Sequence, residues 1–188
     1  FEKEDGTVII DACIFHDFPF GEEFGYNGRN NPFDPYLPDN REAQRLYRIT
    51  VPPDSDTGTW EQLIPHGVDF PRIHPDYAGL DSPYMVGASR ADTQYSDPFD
   101  SVILLDLHKP NSEPQIWTTS DTIFVGEPII LPGEETDYVA VIISDGLEEK
   151  STLVLLDAQD LSQGPVCQIP MPLLPVAFHG EWDPIGIS

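Results

Sequence analysis

Apolar residues in this chain come in short runs, many alternating with polar ones and rich in Val, Ile, Leu and Thr. Such runs predict strands, here over residues 7–15, 46–51, 84–87, 102–107, 116–118, 122–125, 138–144, 152–157 and 166–169. Turn chemistry falls between them: Pro52-Pro53-Asp54, Lys109-Pro110-Asn111, Asp145-Gly146 and Gln163-Gly164-Pro165. A single helical turn is expected near residues 40–44. Twenty prolines and fourteen glycines leave little room for a longer helix.

The strands fall into a loose repeat. Arg45-Leu-Tyr-Arg-Ile-Thr-Val51 is followed by a polar turn and Trp60-Glu-Gln-Leu-Ile64. Ser101-Val-Ile-Leu-Leu-Asp-Leu107 leads likewise to Gln115-Ile116-Trp117, and Ser151-Thr-Leu-Val-Leu-Leu-Asp157 to Val166-Cys-Gln-Ile169. The spacing of about fifty residues is that of a propeller blade. Residues 84–87 and 138–144 precede the second and third units, where an inner strand of a blade is expected. Three units do not close a ring, because propellers use about four to eight blades. The expected architecture is all-β, an incomplete propeller, with a complete small β-sandwich as the alternative. Residues 18–40, dense in Phe, Tyr, Gly and Asn, read as an irregular loop insertion, either plain surface or the lid of an apolar pocket.

The net charge of −24, from 33 acidic and 9 basic side chains, excludes binding to a phosphate backbone and offers no basic cluster for anionic lipid. No run reaches the eighteen or so apolar residues of a membrane span, and residues 1–6 carry no apolar leader. A cytoplasmic protein is expected, or a plastid one in a photosynthetic eukaryote, rather than a secreted one; membrane association stays open. The first residue is not Met, so the chain reads as part of a longer protein. Cys13 and Cys167 lie in apolar runs and are expected to be buried free thiols.

The five histidines, His16, His66, His74, His108 and His179, show no local metal-binding spacing. A propeller axis, however, can gather one ligand from each of several blades. His16, His66 and His108 lie near strand ends and take no role. His179 differs. It stands in Leu173-Leu-Pro-Val-Ala-Phe-His-Gly-Glu-Trp182, with Phe178 and Trp182 as apolar walls and Gly180 for a tight turn behind the ring, and it is expected to be buried.

The Phe-His-Gly-x-Trp segment resembles the closing motif of the carotenoid cleavage oxygenases, whose histidine is an iron ligand. Three further segments agree in order: Phe1-Glu-x-x-Asp-Gly-x-Val-x-x-Asp11, Asp69-Phe-Pro-Arg-Ile73 and Gly126-Glu-Pro-Ile-Ile-Leu-Pro132. The resemblance spans nearly the whole chain. It implies that residues 1–188 form the C-terminal blades of a seven-bladed β-propeller with Fe(II) on its axis, held by four histidines and steadied by glutamates. It implies that His179 is the last iron ligand and that Glu127 accepts a hydrogen bond from a ligand histidine, His179 being the candidate. Asp69 stands where the family has glutamate, one methylene longer; either it still reaches its histidine or that contact is lost. His74 follows closely but is not a ligand position in the family and reads as surface or loop.

The activity implied is oxidative cleavage of a carbon–carbon double bond by O2, giving two carbonyl products from an apolar polyene, a carotenoid or apocarotenoid. Stilbene-type phenylpropanoids are the alternative substrate class. A family member that lost its chemistry, or a non-catalytic propeller used as a binding platform, is the rival reading. Three ligands would lie upstream, in the remaining N-terminal part of the propeller, and the isolated chain is expected to be inactive.

Overall fold

The structure, a computed structural model, describes residues 1–14, 44–92, 99–120, 122–174 and 179–183. The fold class is all-β as expected. The strands are β1 (Val8–Ile14), β2 (Arg45–Val51), β3 (Thr59–Ile73), β4 (Tyr84–Ser89), β5 (Ser101–Asp106), β6 (Gln115–Thr118), β7 (Ile123–Val125), β8 (Ile129–Leu131), β9 (Tyr138–Asp145), β10 (Lys150–Asp157) and β11 (Pro165–Pro172). Helix among the described residues is limited to the 3₁₀ turns Pro75–Tyr77 and Leu161–Gln163. Residues 18–40 and most of the helical turn expected at 40–44 lie outside the described residues, as does His16.

All pairings between strands are antiparallel, and they form three meanders. β1, β2 and the first part of β3 make one. The rest of β3 opens the second and runs on to β4, β5 and β6. The third is led by β7 and β8, which lie one after the other along the same edge of β9, followed by β10 and β11. The outer pairs β2–β3, β5–β6 and β10–β11 are the repeat visible in the sequence. Residues 84–87 and 138–144, expected as inner strands, are the second strand of their meanders, each with a further strand before it. The strands that open them are the far half of β3 and the β7–β8 pair. Residues 122–125 were expected and form β7, but Pro65, Gly67, Pro71 and Pro128 break up the hydrophobic alternation, so pattern alone does not reveal the far half of β3 or β8.

Two apolar clusters join the meanders. Val102 and Leu104 of β5 pack with Val125, Ile130, Val139, Val141, Val154 and Leu156 of the third meander. Ile103 and Leu105 of the same strand point the other way, into a cluster with Leu46, Leu63, Ile64 and Val68. The second meander is therefore covered on both faces. This is the reason for the unbroken apolar run of β5: a strand with one wet face would alternate. Successive sheets stacked face to face are the arrangement of propeller blades.

The outermost strand, β11, is exposed along most of its length, and its prolines 165, 170 and 172 remove ladder donors from that edge. Cys167 lies on it and is exposed, contrary to expectation; an outer strand has no second sheet to cover it. Cys13 is half-buried, and both thiols are free. His74 also differs from expectation. It is buried rather than on the surface, because it caps the 3₁₀ turn after β3, accepting the Asp76 N–H at its Nδ1 over 3.1 Å. Its Nε2 lies 3.6 Å from Asp137 Oδ1, and the Tyr84 hydroxyl donates to Asp137 Oδ2 at 2.5 Å. His66 is half-buried on β3, and His108 is exposed beside Asp81 at 3.2 Å.

Candidate functional site

The site begins with an irregularity in β3. Asp69 pairs with Ala88 and Arg72 with Val86, so three steps on β3 face two on β4. One extra residue is accommodated as a bulge, with Phe70 at φ 51°. Residues three apart on a regular strand point to opposite faces. The extra residue changes that parity and turns Asp69 and Arg72 toward the same neighbours. Gly87, opposite the bulge, makes the close approach possible. A Cβ there would meet Val68 Cγ1 at 2.6 Å and the Asp69 carbonyl oxygen at 3.0 Å.

Facing the bulge is the break between β7 and β8. Gly126 N–H still bonds to the Ile142 carbonyl, but Pro128 has no N–H to continue the ladder. Glu127, between them, turns its carboxylate toward β3, and its side chain is only 5% exposed. Arg72 Nε donates to Glu127 Oε1 at 2.8 Å, and Gly180 N–H donates to Oε2 at 2.7 Å. Arg72 Nη2 also donates to the Gly180 carbonyl at 3.0 Å. These three bonds form a closed ring joining β3, the β7–β8 break and the segment carrying His179. His179 Nδ1 lies 3.5 Å from Glu127 Oε1, and the Phe70 ring meets the imidazole edge-on, centroids 5.8 Å apart at 89°.

The electrostatics follow from this geometry. Burial pushes the Glu127 carboxyl upward, but the bonds from Arg72 and Gly180, the Arg72 charge and the bond to His179 outweigh it. The carboxyl is held below the ordinary range and stays ionised. Asp69 moves the other way. Burial raises it, the Phe70 N–H and the His179 ring oppose the rise, and the Glu127 charge adds to it.

His179 and Glu127 are thus brought together, while Asp69 is close but differently engaged. Asp69 Oδ1 accepts the N–H of Phe70 at 2.8 Å, and among the described residues no hydrogen bond joins it to His179. One expectation about His179 does not hold. Its side chain is 74% exposed rather than buried. Phe178 lies outside the described residues and Trp182 is 51% exposed; Glu127 and Phe70 border the ring. Gly180, in turn, is not in the left-handed region and a Cβ would meet nothing within 4 Å. It serves through its backbone, giving its N–H to Glu127 and its carbonyl to Arg72.

Arg72 and Phe70 were missed as site residues. Both stand in Asp69-Phe-Pro-Arg-Ile73, where only the carboxylate has a chemistry that the sequence makes distinctive. Beside the ring of bonds lies an open cleft of about 650 Å³, bordered by Pro71, Arg72, Ile130, Pro132, Gly180 and Trp182.

The donor chemistry limits what metal this chain holds. Among the described residues, no three His, Cys, Asp or Glu side chains gather as a metal site. His179 offers a single imidazole. Its Nδ1 is directed at an ionised carboxylate, and imidazole is a donor that iron accepts. The residues therefore fit iron as one ligand of a larger set.

Comparisons with known proteins bear on the family and the fold. A sequence profile of the retinal pigment epithelial membrane protein family matches residues 1–184. Carotenoid cleavage dioxygenase 7 (chloroplastic) of Arabidopsis thaliana is 30% identical over 93% of this chain and 32% of its own length. Isoeugenol monooxygenase of Pseudomonas putida is 26% identical over 96% of this chain and 39% of its own. The crystal structure of the cobalt-substituted apocarotenoid oxygenase of Synechocystis superposes with a TM-score of 0.85 at 22% identity, over 97% of this chain and 38% of that one. The fold is thus shared with a propeller enzyme, and the chain spans about a third of the length of the first curated relatives it matches. The four sequence motifs, the match over residues 1–184 and the meander architecture converge: this chain belongs to the carotenoid oxygenase family, that of the retinal pigment epithelial membrane protein.

Proposed function

We propose that this chain supplies one metal ligand, His179, to a non-haem Fe(II) dioxygenase that splits a carbon–carbon double bond of a carotenoid or apocarotenoid. The observation that carries the reading is the His179 imidazole set with Nδ1 against the buried, ionised carboxylate of Glu127. That contact favours the tautomer with its proton on Nδ1 and makes the other nitrogen a better donor. Fe(II), when bound, supplies the chemistry that activates O2. The overall balance is one alkene plus O2 giving two carbonyls, one oxygen atom in each, so no residue of this chain is needed as a net acid or base. The chain's own task is to hold the imidazole in place. Asp69 is the second carboxylate assigned to the ligand set, steadying another of its histidines.

In this reading residues 1–188 are the C-terminal blades of one propeller domain, residues 18–40 are a loop inserted in it, and the other three histidines come from the remaining blades. The isolated chain is then inactive. The cytoplasm, or a plastid, is the compartment we assign. No helix among the described residues is long and apolar enough to cross a membrane. The similarity to an isoeugenol monooxygenase supports a second substrate class, phenylpropanoids with a conjugated side-chain double bond, stilbenes among them.

The test is made on the full-length protein. Fe(II) content is measured, and the iron-loaded protein is incubated in air with an apocarotenal and, separately, with a stilbene and isoeugenol. Aldehyde products from the first, lost in His179→Ala together with the iron, are expected. Products only from the aromatic substrates would select the second class. A full-length protein that takes up no Fe(II) would leave a non-catalytic binding platform.

A further inference from the structure

We infer that Arg72 is a positioning residue for His179. This inference rests on the reading of His179 as a metal ligand. One guanidinium reaches both supports of the imidazole: Nε bonds the carboxylate oxygen that faces His179 Nδ1, and Nη2 bonds the carbonyl of the next residue, Gly180. Glu127 closes the ring by accepting the Gly180 N–H on its other oxygen. Gly180, the residue after His179, is therefore held by both its N–H and its carbonyl, and the acceptor for the His179 ring is fixed by the same Arg72 side chain.

The local structure is built to bring this about. Without the bulge, Arg72 and Asp69 would lie on opposite faces of β3. With it, Arg72 faces Glu127, and the Phe70 ring packs against the imidazole. A non-glycine residue at φ 51° is an unfavourable conformation, kept where the surroundings over-determine it. Arginine also suits the geometry better than lysine. Its planar fork offers two N–H groups in fixed relation to two separate acceptors, whereas an ammonium on a flexible stem is a point charge with no such orientation.

Arg72 is 41% exposed, and its role is distinct from simple packing. The proposal is tested in the full-length protein with Arg72→Met and Arg72→Lys. Hydrogen–deuterium exchange of the peptide covering residues 173–183 is followed first in the metal-free state. Fe(II) affinity and the electron paramagnetic resonance spectrum of the Fe(II)–nitric oxide adduct are then measured. Arg72→Met is expected to speed exchange at Gly180, lower Fe(II) affinity about 10–100-fold and alter the spectrum. Arg72→Lys should recover part of the affinity and not the wild-type spectrum. Unchanged exchange would overturn the proposal. So would faster exchange with unchanged affinity and spectrum, which would reduce Arg72 to a structural tie. Should the wild type bind no Fe(II), the functional reading fails. The metal-free exchange and the Nδ1-protonated tautomer of His179, read by nitrogen NMR in wild type and Arg72→Met, still decide whether Arg72 sets the ring.

Discussion

Replacing Glu127 with glutamine keeps the size of the side chain and removes its charge, which makes it a sharp test of the ring of bonds at the site. Both carboxylate oxygens accept from N–H groups, Oε1 from Arg72 at 2.8 Å and Oε2 from Gly180 at 2.7 Å. An amide has only one acceptor end. Whichever way it turns, its NH₂ faces a donor and one bond is lost. A hydrogen bond to a charged group contributes about 1.5–3 kcal/mol. Breaking a fully buried pair costs about 3–5 kcal/mol. Glu127 is 5% exposed, but Arg72 is 41% exposed and can turn to water, so the loss should fall near the low end, about 2 kcal/mol. Urea unfolding of the metal-free full-length protein measures it, and Fe(II) titration should show affinity lower by about 10–100-fold. An unfolding free energy within about 0.5 kcal/mol of wild type, the scale of ordinary surface substitutions, together with unchanged Fe(II) binding, would refute the account of Glu127.

Gly87→Ala should destabilise by about 1–3 kcal/mol, since the added methyl meets Val68 Cγ1 at 2.6 Å and the Asp69 carbonyl at 3.0 Å; a melting temperature equal to wild type would show that the bulge gives way freely. Asp137→Asn should cost about 1–2 kcal/mol in urea unfolding, because an amide cannot accept from both Tyr84 and the Gly133 N–H while facing His74 as the carboxylate does. With a thiol-reactive dye at pH 8, Cys167 should label fast and Cys13 slowly, because burial and then the Asp69 charge push the Cys13 thiol up to about 12; equal rates would contradict the burial. The unfolded thiol ionises near about 8.5, so this group leaves stability untouched at neutral pH and lowers it as pH rises from there toward about 12.

The strands that the sequence makes legible are those whose side chains obey a regular period. β5 reads plainly because both its faces are covered, and β9 and β10 because each presents a consistent face to the core. The three outer pairs could be aligned as a repeat for the same reason. The far half of β3 and β8 escaped, since a period of two does not survive an inserted residue at Phe70 or a proline at position 128. The exposure of Cys167 escaped for a different reason. Val166-Cys-Gln-Ile169 is apolar enough for a core strand, and only its place as the last strand of a meander leaves it uncovered. His74 was misplaced because capping a turn is a geometric role that neighbouring residues do not announce.

The same irregularities that hide the far half of β3 and β8 create the site. A regular β3 would send Asp69 and Arg72 to opposite faces, and an unbroken β7–β8 strand would spend the backbone around Glu127 on its ladder with β9. The bulge and the proline break each release one strand from its period at the level where the two meanders meet. There three side chains and the backbone of one glycine from distant parts of the chain, Asp69 and Arg72, Glu127, and Gly180 beside His179, come within reach of one another. A motif-based reading finds the carboxylates and the histidine because their chemistry is distinctive. It passes over the arginine, which in sequence looks like one more polar residue on a strand, and in the fold is the group that ties the others together.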